Sequence, residues 1–359
     1  MYKAIRYIGS KQKMLPFLKS NILHYLEKPN ATFFDGFVGT GIVSQFVAET
    51  YQNVGISGGD ISLYSKILFN ILNLGTVFPS NERLEEILED FIKYNSENNA
   101  GDVIFNEFSQ NGIPQSFNES RNFFHEYSGK TIDNFRQYLK ANLANQKITE
   151  DESQILLYFI LAYSCKVANT TSVFGAFLKS VPNHVPFTLE FCKNITTNLN
   201  LIKSNVQTFA QFYNMSIVDS LKAIDHHTVI YLDPPYSTRR YESNYHILNY
   251  IVDLDFSAAV LKNGSKTGQA NTMESNPFGK KGQTEQIFKD MIDLGVVKCD
   301  VLGISYNSDG VITQEWMEKY CLEKGYVLET KNQEYKRFKS KTEVTNTTTL
   351  QEILWLIKK

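Results

Sequence analysis

The stretch Thr228-Val229-Ile230-Tyr231-Leu232-Asp233-Pro234-Pro235-Tyr236 limits what this chain can fold into more than any other. Its first five residues are apolar or β-branched and read as a buried strand. Two consecutive prolines have no N–H to give to a sheet, so the strand ends there and the chain leaves the sheet. Asp233 then stands at the carboxyl end of a strand, where open α/β sheets hold their ligands. Tyr236 follows on a stiff loop and offers an aromatic face. A carboxylate acceptor, proline carbonyls and a ring suit a flat base that carries an amino group. The plain alternative is a Pro-rich structural turn.

A second segment supports the same sheet. Ala31-Thr32-Phe33-Phe34-Asp35-Gly36-Phe37-Val38-Gly39-Thr40-Gly41 is a short apolar strand running into a glycine turn, and a helix begins at Ile42. Strand, glycine loop and helix form the nucleotide-cradling start of a Rossmann-like unit, because glycines let a ligand approach the backbone and the helix start leaves N–H groups unpaired. Asp60 follows Gly41 by nineteen residues, at the end of the second strand expected over Val54–Gly59, with Ile61 beside it. An acid there accepts hydrogen bonds from ribose hydroxyls; a helix cap is the alternative. Ahead of both, Tyr7-Ile8-Gly9-Ser10-Lys11 reads as a turn leading into a helix whose start could hold an anion or a carboxylate.

The fold class expected is α/β, a Rossmann-like sheet with a mainly helical insertion. Residues 1–74 and 206–359 form the sheet domain in this reading, and 75–205 the insertion. Helical periodicity marks Glu82–Tyr94, Thr131–Leu143 and the strongly apolar Ser153–Ser164. The sheet resumes near Phe209–Leu221, with Asp219 expected at the end of a short strand. Val297–Tyr306 and Thr347–Ile357 complete the strands.

The chain has 359 residues, with 36 Lys and Arg against 38 Asp and Glu, so overall charge announces no nucleic-acid partner. Basic residues are instead local. Arg239 and Arg240 sit among Tyr236, Tyr241 and Tyr245, and Lys331–Lys341, which includes Lys336, Arg337 and Lys339, carries five basic residues against Glu334. Lys179 closes a polar-then-aromatic segment from Val167. Basic residues interleaved with rings fit contacts to phosphates and bases. The spacing of Cys165, Cys192, Cys299 and Cys321 fits no zinc site, so no metal is expected. No signal peptide and no apolar run of about 18 residues is seen, which points to a cytoplasmic protein without a membrane span.

With these pieces in order, the chain resembles the Dam-like, alpha-group N6-adenine DNA methyltransferases, those of restriction–modification systems in particular. The resemblance rests on the N-terminal Gly9-Ser10-Lys11 segment, the glycine loop, the acidic strand end, the insertion and Asp233-Pro234-Pro235-Tyr236. It implies S-adenosyl-L-methionine as cofactor and double-stranded DNA as partner, in a bacterial or phage-type cytoplasmic setting, and it leaves room for a cognate restriction endonuclease. It also implies roles. Tyr7, Gly9, Ser10 and Lys11 would lie at the methionine end of the cofactor. Phe34, Asp35, Gly39, Thr40 and Gly41 would form its loop, and Asp60 with Ile61 would hold the nucleoside. Asp219 would face the adenine amino group of the cofactor, and Asp233, Pro234, Pro235 and Tyr236 would be catalytic. Where many relatives have Pro after the first acid, this chain has Gly36. Competing readings are a cytosine-N4 or RNA amino methyltransferase, a dinucleotide-dependent oxidoreductase, and a nucleic-acid-binding module without catalysis.

Overall fold

A computed structural model describes residues 10–72, 78–203, 210–236, 242–271, 277–335 and 350–359. The chain divides into two compact units. One comprises residues 11–61, 207–240 and 275–359, and the other comprises 1–10, 62–206 and 241–274.

The first unit is built on a seven-stranded sheet. Its strands are β1 (Thr32–Asp35), β2 (Gly55–Gly59), β3 (Ala210–Tyr213), β4 (His227–Leu232), β5 (Cys299–Asn307), β6 (Val327–Tyr335) and β7 (Leu350–Lys358), in the order β3-β2-β1-β4-β5-β7-β6. Strands β1 to β5 are parallel, and β7 runs antiparallel to both β5 and β6. From β1 the chain builds outward to β2 and β3, then returns to place β4 and β5 on the other side of β1. The order therefore reverses between β1 and β4, and such a reversal opens a crevice at the carboxyl ends of the strands. Asp35 ends β1 and Asp233 follows β4, so the two acids flank this crevice. Ile230, Leu232, Leu302, Ile304 and Trp355 are fully buried in the core of this unit, which the helices Ile217–Ala223 and Lys281–Val296 also share.

The second unit is helical. Its central helix, Glu150–Val167, begins with a capping box between Thr149 and Glu152 and is buried on almost every side. Around it pack Leu63–Leu72, Asn81–Glu97, Glu126–Ala144, Leu189–Lys203 and His246–Val252. Two buried charged groups are paired in kind. Asp133 accepts backbone N–H groups from Asp102, Ile104 and Phe105 at 2.8–3.0 Å and so fixes the start of the helix Val103–Phe108. Arg121 and Glu107, both with no exposure, pair at 2.7 Å, and the Arg121 guanidinium also donates to the Ser265 carbonyl. The helical unit is larger than residues 75–205. Tyr64, Ile67, Leu68 and Ile71 pack in its core, as do Ile247, Leu248 and Ile251. An amphipathic pattern reports that a helix has a buried face, not which core receives it.

Candidate active site

The glycine loop is held from below. Gly36 N–H donates to the Tyr231 carbonyl at 2.9 Å and Val38 N–H to the Gly59 carbonyl at 3.2 Å, which tie the loop to β4 and β2. Gly39 and Gly41 have φ of 54° and 73°, where a side chain would be strained. Gly41 is the N-cap of the helix Ile42–Thr50. Gly39 N–H donates to Asp60 Oδ2 at 2.9 Å, so the second acid supports the loop as well as standing at the end of β2. Ile61, beside it, is 54% exposed, a large apolar side chain left in the open next to a carboxylate. That pairing fits a nucleoside, whose ribose hydroxyls need an acceptor and whose base needs an apolar face. Thr40 is partly buried at the loop tip.

Asp35 is 2% exposed. Ser44, from the first turn of the following helix, donates to its Oδ2 at 2.7 Å, while Oδ1 is buried without a hydrogen-bond partner. Burial pushes this carboxyl up to about 7, against the pull of the Ser44 hydrogen bond, and the neighbouring Asp233 adds to the rise. An orphaned carboxylate oxygen beside a glycine loop could accept from a cationic ligand. These residues fit S-adenosyl-L-methionine, which carries a positive sulfur, an ammonium and a nucleoside.

At the end of β4 the side chains converge on Lys11. This lysine opens a 3₁₀ turn, Lys11–Met14, and is 5% exposed. Its Nζ lies 3.0 Å from Asp233 Oδ1, an ion pair. It also pairs with Glu352 of β7 and lies 5.5 Å from the centre of the Tyr236 ring. Burial alone would depress the Lys11 ammonium, but Asp233 and then Glu352 outweigh it and hold it well above its ordinary value. Burial raises the Asp233 carboxyl, Lys11 pulls it back and Glu352 pushes it up again; the net direction is upward. Tyr236 meets Tyr306 edge to face at 6.1 Å, and Tyr306 stacks on Trp355 at 5.5 Å, so the loop ring rests on a column of buried rings. Pro234 is buried and Pro235 partly so.

Other expected site residues fall elsewhere. Phe34 has no exposure and packs in the sheet core, so only its backbone can meet a ligand. Asp219 does not end a strand. It lies in the first turn of the helix Ile217–Ala223, where Ser216 Oγ donates to its carboxylate at 2.7 Å and accepts from its N–H at 3.2 Å. Ser216-x-x-Asp219 is a helix start, and that local chemistry outweighs a strand end. Tyr245 is 2% exposed and packs near Tyr64 in the helical core, so its ring is not on a surface that DNA could touch. Lys179 is exposed, and Ser10 is partly buried. Tyr7, Gly9, Arg239, Arg240, Lys336, Arg337 and Lys339 lie outside the described residues. Sequence reasoning missed Ser44 and Glu352. The signal for Glu352 was present: it is a lone acid ahead of Ile353-Leu354-Trp355-Leu356-Ile357, a run that reads as buried strand.

Among the described residues no helix is long and apolar enough to cross a membrane, and no group of His, Cys, Asp and Glu side chains could hold a metal ion.

Comparison with known proteins gives the family. The type II methyltransferase M.NlaIII of Neisseria lactamica is 28% identical over 353 residues, 95% of each chain. The type II methyltransferase M.CviAII of Paramecium bursaria Chlorella virus 1 is 26% identical over 337 residues, 94% of this chain and 93% of that one. The modification methylase StsI of Streptococcus sanguinis is 24% identical over 358 residues, 99% of this chain and 52% of the relative, so the chain spans about half the length of that protein. A family profile matches residues 7–319, and by that match the chain belongs to the D12 class of N6 adenine-specific DNA methyltransferases.

Proposed function

We propose that this chain transfers a methyl group from S-adenosyl-L-methionine to the exocyclic nitrogen of a flipped adenine in duplex DNA, as the modification enzyme of a restriction–modification system. The observation that carries the reading is the Asp233 carboxylate at the mouth of the sheet, tethered by the buried Lys11 and followed by two prolines and a ring supported from below.

The chemistry assigns each group a task. An exocyclic amine of adenine is a poor nucleophile because its lone pair is conjugated into the ring. Lys11 engages Oδ1 of Asp233, and Oδ2 accepts a hydrogen bond from one amino N–H. The Pro234 carbonyl accepts a hydrogen bond from the other, the two acceptors turn the lone pair out of the ring plane, and the one proton that the methylated nitrogen must lose leaves by way of Oδ2. Tyr236 stacks on the extruded base. The cofactor, when bound, supplies a methyl group on a positively charged sulfur. Asp35, Gly39, Gly41, Asp60 and Ile61 would hold it. Acceleration then comes from positioning and from fixed charges rather than from a covalent nucleophile. The helical unit, with Lys179 on its surface, and the basic segments around Arg239 and Lys336 are the groups to hold DNA. Asp rather than Ser or Asn at 233 favours adenine over cytosine as the base.

The test is expression in a host without DNA methylation, followed by sequencing of its genome for methyl-adenine. Methyl-adenine at one recurring sequence is expected, and none with Asp233→Ala. Methyl-cytosine at that sequence, or methylation undiminished in a folded Asp233→Ala protein, would sink the proposal.

A further inference from the structure

One carboxylate is enough to neutralise a buried lysine, yet Lys11 has two. The second comes from Glu352, which faces Asn307 of β5 and Gln333 of β6 across the ladder. Its side chain is 8% exposed, in a strand whose next five residues are all buried. A carboxylate in such a strand is costly unless something needs it there. The topology explains how it arrives. Strand β7 runs against β5, so its beginning lies where β4 and β5 end, at the ligand-binding edge of the sheet. Glu352 lies outside residues 7–319, the span of the family match.

We propose that Glu352 is a positioning residue for methyl transfer: it pins the Lys11 ammonium against Asp233 Oδ1 and so leaves Oδ2 to take the amino proton. This rests on the adenine reading given above. A lysine held by Asp233 alone could swing across both carboxylate oxygens and would neutralise the acceptor. Held between two anions, it fixes the acceptor's orientation and leaves the cluster with surplus negative charge, which makes Asp233 a stronger acceptor. The other groups that face Asp233 do not replace this role. Tyr231 gives its hydroxyl to Ser305 at 2.8 Å, Tyr236 offers a ring, and Asp35 has its own partner in Ser44.

The experiment is the pH profile of kcat, with KM for cofactor and DNA, for the unsubstituted enzyme, E352Q and E352D. E352Q is expected to lower kcat about tenfold or more while both KM values stay within about twofold. It should also move the acid limb to lower pH by about half a unit or more, because Asp233 loses a repelling neighbour. E352D, which keeps the charge, should keep the acid limb and recover part of kcat. A folded E352Q with unchanged kcat and an unchanged acid limb overturns the proposal. If E352Q does not fold, K11M and K11M/E352Q are compared under single-turnover conditions, since the double variant removes the lysine together with the carboxylate that pins it. With no ammonium to position, removing Glu352 should change the rate less than about twofold, and a further tenfold loss overturns the proposal. An unsubstituted enzyme that methylates no adenine defeats the underlying reading instead, so the two failures are distinguishable.

Discussion

Asp35 gives the sharpest expectation for a single residue. Its carboxyl sits near 7 in the fold against 3.8 ordinarily, so the fold binds its proton more tightly than the unfolded chain does. Its contribution to stability therefore shrinks as pH rises from about 4 to about 7 and is flat above that. A cationic cofactor favours the ionised form, so affinity for S-adenosyl-L-methionine should fall as pH drops below about 7. Asp35→Asn should flatten that dependence in calorimetry at pH 6 and pH 8, and should stabilise the cofactor-free protein at pH 8 by about 1–3 kcal/mol. Affinity equally pH-dependent in Asp35→Asn would remove Asp35 from the cofactor seat. Asp60 differs: it accepts from the Gly39 N–H of the loop, and in the proposed site it also accepts from ribose. Asp60→Ala should weaken cofactor binding by about 1–3 kcal/mol, and unchanged affinity in a folded variant counts against the ribose role. At Tyr236 the ring matters more than the hydroxyl. Tyr236→Ala should cost about 1–3 kcal/mol of stacking and Tyr236→Phe much less, read as the fluorescence rise of 2-aminopurine at the target position on binding.

Among the elements, the turn after β1 is closely packed. A methyl group on Gly36 would sit 2.3 Å from Leu232 Cδ2 and 2.7 Å from Ile217 Cδ1. The space that a proline ring would need is filled here by those two side chains, which gives a physical reason for glycine at this position. Gly36→Ala should destabilise the sheet unit by about 1–3 kcal/mol through overpacking; a melting temperature within a degree of the unsubstituted protein would refute the argument. The same contrast between local and distant causes governs what the sequence reveals. The glycine loop and the strand ending in Pro234-Pro235 are legible because each is a local rule of backbone geometry. The expected strand Val297–Tyr306 compares with β5 at Cys299–Asn307, and the last expected strand, Thr347–Ile357, with β7 at Leu350–Lys358. Strand β6 is hidden because Val327–Tyr335 is mostly charged and polar and shares residues 331–335 with the basic run Lys331–Lys341. Asp219 was misjudged because a helix-starting acid and a strand-ending acid look alike when only four residues of strand precede the turn. Tyr245 was misjudged because rings beside arginines suit a surface as well as a core.

At the scale of the whole molecule, a net charge of −2 leaves duplex binding to local patches. In the proposed function those patches displace counterions from phosphates, so affinity for a cognate duplex should fall steeply between about 50 and 200 mM salt. A flat titration over that range would exclude phosphate contacts as the source of binding. A second consequence follows from a contact that spans nearly the entire chain. Lys11 and Glu352 are 341 residues apart in sequence, and Lys358 reaches Tyr25 in the same unit. During synthesis, a ribosome will have made the glycine loop, the helical unit and the Asp233 loop well before Glu352 exists. The sheet stays incomplete until then, because β7 lies between β5 and β6 and carries the buried Trp355. A message cut short before codon 352 therefore yields a chain that lacks both the second anchor of its lysine and the strand that joins β6 to the sheet.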